Sequence, residues 1–157
     1  MSAETFTTAM FLITAIIAAG VLVNAVFPIV YTMTGTFSSA SHESDERLRT
    51  DFKIIATYAS GTNGQIWIKN VGSTRIPASE VVRADVFYGA VGDFEHLMYD
   101  AGWTAELSDI NTNNYWDPGE TLKVSVVATK SVSPGNVAYF QFVLPNGVWR
   151  SMEFTAS

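Results

Sequence analysis

The chain has no cysteine among its 157 residues, which removes disulfides, thiolate nucleophiles and cysteine-based zinc sites without assigning a compartment. Charge is also scarce. Asp, Glu, Lys and Arg make up 15% of the residues, against about a quarter in an ordinary soluble domain. The deficit is concentrated in one place: no Asp, Glu, Lys, Arg or His occurs between Glu4 and His42, and all nine Lys and Arg lie from Arg47 onward. Setting Glu4 aside, the net charge of −6 leaves −5 on the polar part. Without clustered Lys and Arg, a nucleic-acid partner is not expected. Catalytic patterns are missing as well. The two histidines, His42 and His96, stand in different regions, and there is no phosphate-cradling glycine loop, H-E-x-x-H or G-x-S-x-G. An enzyme is not expected.

What fills the charge-free stretch is apolar. Residues 9–23 read AMFLITAIIAAGVLV, and AVFPIVY follows Asn24, so roughly 22 residues suffice to cover the ~30 Å of a bilayer core. The apolar side chains surround the helix axis rather than forming one stripe, the pattern of a helix buried on every side, by lipid or by identical helices. Small residues at Ala15, Ala18, Ala19 and Gly20 would let backbones approach closely, and Pro28 predicts a kink near Val23 and Asn24. The preceding MSAE lacks the basic residues of a signal peptide, so the helix is expected to stay in the working protein. The predicted parts are a transmembrane or assembly helix over 1–40, a charged junction over 41–50 and a head over 51–157. The junction SHESDERLRTD is either the solvated end of the helix or a hinge. Arg47 and Arg49 would place the head in the cytoplasm by the positive-inside rule, a signal diluted by Glu43, Asp45 and Glu46.

From Asp51 onward, short alternating runs separated by turn residues predict an all-β head, an antiparallel, Ig-like β-sandwich in an α+β chain. Expected strands cover 52–58, 65–70, 81–87, 121–128, 137–144 and 148–154. Loops are expected at 60–64 and 133–136, with a hairpin turn at Pro145, Asn146 and Gly147 pairing the last two strands.

Two features invite a binding role. Residues 109–120, DINTNNYWDPGE, place oxygen ligands at Asp109, Asn111, Asn113, Asp117 and Glu120, with the Tyr115 carbonyl at position 7, the spacing of a calcium loop. Asn114 stands where such loops carry Gly, and the alternative is an Asn-rich turn closed by Pro118 and Gly119. Ca²⁺ is therefore the one candidate cofactor. Aromatic residues between 86 and 103, namely Phe87, Tyr88, Phe94, Tyr99 and Trp103, are candidates for a partner surface in a loop region, or else for core.

The order of parts resembles the archaellin and type IV pilin-like superfamily. The closer resemblance is to archaellum accessory proteins of the FlaG/FlaF type, carried by ETFTTAMFLITAIIAAGVLVNAVFPIVYTMTGTFSSASHESDERLRTDFKI and by the strand end Ile68, Lys69, Asn70, Val71, Gly72. Archaellins carry a basic leader and often N-glycosylation sequons; this sequence shows neither. The resemblance implies a structural component of the archaellum, anchored in the membrane or packed among identical helices. It further implies an extracytoplasmic, pseudoperiplasmic head and a homo- or hetero-oligomer in contact with other archaellum proteins or the surface layer. The alternatives are a principal filament subunit and a membrane-anchored calcium-binding module.

Overall fold

The computed structural model describes residues 2–157. The chain divides into two compact units, Met1–Glu43 and Ser44–Ser157. The described residues of the first, 2–43, are all helical. Helix α1, Ser2–Arg49, passes through Pro28 without a break and has no buried residue. The predicted end at residue 40 falls short because nothing in the junction stops a helix. Its charges are helix-compatible, Asp45 pairs with Arg49 one turn on at 2.9 Å, and Arg47 and Arg49 in the last turn suit the helix dipole. The junction is thus helix end rather than hinge. It terminates at Thr50, whose N–H and Oγ1 both donate to the Glu46 carbonyl, at 3.0 and 2.8 Å.

The second unit is built on two antiparallel sheets. In the first, β1 (Phe52–Asn70) pairs with β7 (Thr121–Val132), which pairs with β5 (Trp103–Ser108). In the second, the order is β4 (Asp93–Leu97), β3 (Asp85–Ala90), β8 (Val137–Val143), β9 (Trp149–Thr155). A ribbon of β2 (Ile76–Pro77) and β6 (Tyr115–Trp116) and a short helix α2 (Ala78–Val81) complete the head. Alternation decides the faces: Ile66 and Ile68 of β1, Leu122, Val124 and Val126 of β7, and Val86, Tyr88, Phe140 and Phe142 of the second sheet are all buried. The ring of Phe142 meets Trp103 at 6.1 Å and Phe52 at 5.6 Å, both edge-on, so one core joins the two sheets. The chain is α+β with a sandwich-like head.

Three expectations shift. The predicted loop at 60–64 is strand: β1 runs on through it. Between Gly61 and Asn63 the partner on β7 jumps from Val132 to Val127, so the irregularity is absorbed by extra residues of β7. The predicted strand over 81–87 begins instead at Asp85, because residues after Pro77 wind into α2 and bury Val81 and Ala84 from a turn. The region expected as loop between 86 and 103 is largely a hairpin of β3 and β4, in which Gly89 faces Phe94. A Cβ on Gly89 would lie 2.6 Å from the Phe94 Cα, so only glycine admits this approach.

Candidate assembly site

Within residues 2–43 every side chain is exposed in the isolated chain, including Phe11, Ile16, Leu22, Phe27 and Tyr31. A row of large apolar side chains this long has to be covered by lipid or by protein. Its hydroxyls are already prepared for such cover. Thr7, Thr8, Thr14, Thr32, Thr34 and Thr36 each donate to the carbonyl four residues back, at 2.8 to 2.9 Å, leaving few polar hydrogens to satisfy. Ala15, Ala18, Ala19 and Gly20 lie along this helix, and nothing comes within 4 Å of where a Cβ on Gly20 would stand.

The strand end noted in the sequence is a knot of backbone bonds. Asn70 is buried; its amide donates to the carbonyls of Thr74 at 3.0 Å and Trp116 at 2.9 Å, and its Oδ1 accepts from Gly72 N–H at 3.0 Å. Gly72 N–H also donates to Asp51 O at 2.8 Å, and Ser73 N–H to Arg49 O at 2.9 Å. A Cβ on Gly72 would sit 2.5 Å from the Arg49 carbonyl oxygen, so glycine is required where this segment passes the last turn of α1. Spacing alone did not reveal that role.

The loop over 109–120 is closed by its own groups. Asp109 accepts from the N–H groups of Asn111, Thr112 and Asn114, at 3.2, 2.7 and 2.9 Å. Buried Glu120 accepts from Ile110 and Asp117 N–H, at 3.0 and 2.9 Å. Asn111 and Asn113 turn their carbonyl oxygens to the N–H groups of Asn113 and Tyr115 and their amide N–H groups to Asp117 Oδ2, at 2.7 and 2.8 Å. Those two donors hold the Asp117 carboxyl below its ordinary range. Asn114 takes a left-handed φ of 64°, which the glycine of a calcium loop would also supply. Among the described residues no group of three or more His, Asp or Glu side chains is arranged to hold a metal ion.

Of the aromatic residues, the structure removes two from any surface. Tyr88 and Trp103 are 0% and 2% exposed, on the inward faces of β3 and β5. Tyr99 is half-buried with its ring against Trp103 at 5.0 Å. Phe94, 47% exposed, remains outside. It stacks at 4.8 Å on Tyr139 and meets Phe87 at 6.3 Å, while Phe87 lies 5.0 Å from His96. His96, expected in a loop, is on β4 with Nε2 3.0 Å from Asp85. These residues form an outward aromatic patch on the second sheet.

The model of the archaeal-type flagellin family matches residues 3–154, covering helix and head together. The chain belongs to this family. An uncharacterised protein of Archaeoglobus fulgidus is 30% identical over 154 residues, 94% of this chain and 95% of that protein. The archaellum periplasmic stator protein FlaG of Sulfolobus acidocaldarius is similar with a TM-score of 0.56 and 25% identity over 67% of this chain and 99% of that one. The archaeal flagellum of Methanospirillum hungatei shares the fold over 97% of this chain and 93% of its own, with a TM-score of 0.68 and 13% identity. This archaeal-type flagellin is a structural, non-enzymatic component of the archaellum.

Proposed function

We propose that the protein is an accessory subunit of the archaellum, held through α1 in the membrane or in a core of like helices, with its head outside the cytoplasm. The observation that carries the embedding is the first 43 residues: apolar on all sides, free of charge from residue 5 to 41, with most hydroxyls turned back onto the backbone. Similarity to a periplasmic stator protein favours the accessory role and the head's location, against the weak charge rule for Arg47 and Arg49. The head would meet other archaellum proteins or surface-layer protein, and Phe94 on the aromatic patch is the leading contact residue. A second reading, a principal filament subunit, draws on the likeness to the Methanospirillum hungatei filament, which spans helix as well as head. Electron microscopy of the purified full-length protein separates the two. Discrete oligomers fit the accessory role; long helical filaments contradict it and support the second. Protease access in intact cells tests the side: cleavage of the head from outside is expected, and full protection contradicts it.

A further inference from the structure

Resting on the reading that α1 is embedded, we propose that Asn24 and Pro28 form a self-recognition site through which two copies of this helix hydrogen-bond to each other. Between residues 9 and 30 the only polar side chains are Thr14 and Asn24. Thr14 is satisfied at home, donating to the Met10 carbonyl at 2.8 Å. Asn24 has no side-chain partner among the described residues. An amide left unpaired in lipid or in an apolar helix core loses its hydration without replacement.

Pro28 makes the same point of the helix more polar. It lies four residues after Asn24, where its N–H would close the turn on the Asn24 carbonyl, and proline has none. Asn24 therefore presents two donors and a side-chain acceptor beside a backbone acceptor deprived of its regular donor. These groups complement themselves: the amide N–H of one copy donates to the Asn24 oxygens of the next, and the reverse. Access is open. Gly20 lies one turn before Asn24 on the same face, with no atom near its missing Cβ, so a second backbone can approach. A second copy is the occupant because it brings both the matching donor and acceptor at the same depth.

The test uses the full-length chain in phosphatidylcholine vesicles, with energy transfer between donor- and acceptor-labelled copies measured against protein-to-lipid ratio and flotation of the same vesicles reporting insertion. Asn24→Leu should float as the parent does but associate about tenfold more weakly, while Asn24→Gln stays within about threefold. Unchanged association in Asn24→Leu, or a floating parent that does not associate, overturns the site while leaving the embedding intact. A parent that fails to float contradicts the embedding itself.

Discussion

Asn70 holds three segments at once, and each of its bonds lies in or near the core, so its replacement has no cheap relaxation. Asn70→Ala would remove the side-chain donors to the Thr74 and Trp116 carbonyls and leave the Gly72 N–H with the Asp51 carbonyl alone. It is expected to cost about 2 to 4 kcal/mol, read by chemical denaturation of the full-length protein in detergent. A loss below about 0.5 kcal/mol would show that water replaces the amide. Glu95 acts between the sheets. It accepts from Thr129 N–H and Oγ1, at 2.6 and 2.7 Å, where β7 leaves register with β1, while Lys130 pairs with Asp93 beside it. The Thr129 hydroxyl, chiefly, lowers the Glu95 pKa below 4.5. A depressed carboxyl pKa gives stability that is present above the unfolded value and lost as pH falls through the folded one. Glu95→Gln should therefore lower the melting temperature near neutral pH, and the difference should shrink as pH falls through and below the ordinary carboxylate range. A difference independent of pH would assign the effect to shape instead.

At the scale of elements, the helix and the strands with clean alternation were legible. Leu122, Val124 and Val126 against Lys123 and Ser125 announced β7, and Asn146 with Gly147 announced the last hairpin, because period and turn chemistry are local. What was not legible depended on partners distant in sequence. Gly61 and Asn63 looked like a loop, yet β7 supplies the extra residues that keep β1 straight on. In sequence Tyr88 and Trp103 fit surface or core alike, and residues far along the chain decide for core: Tyr88 meets Asn63 and Gly64 of β1, and Trp103 meets Phe142 of β8. The loop over 109–120 has a spacing that suits calcium and a closed set of internal bonds from its amides and N–H groups to its carboxylates. That geometry predicts that EDTA leaves the melting temperature unchanged and that Ca²⁺ calorimetry gives no heat. A Ca²⁺-dependent rise abolished by Asp109→Ala and by Glu120→Ala would show that the ion displaces the amides.

For the whole molecule, a charge-free helix and an acidic β-head are two materials with separate tasks, one to be embedded and one to meet partners. The family relationship spans both. Loss of either should therefore disable the assembly rather than slow a reaction, and the effect should be seen in movement. The most direct test is the swimming speed and number of archaella per cell after deletion of the gene, with the full chain restored from a plasmid. The deletion is expected to abolish or strongly impair swimming and the full chain to recover it; a deletion strain that assembles archaella and swims like its parent would contradict the account.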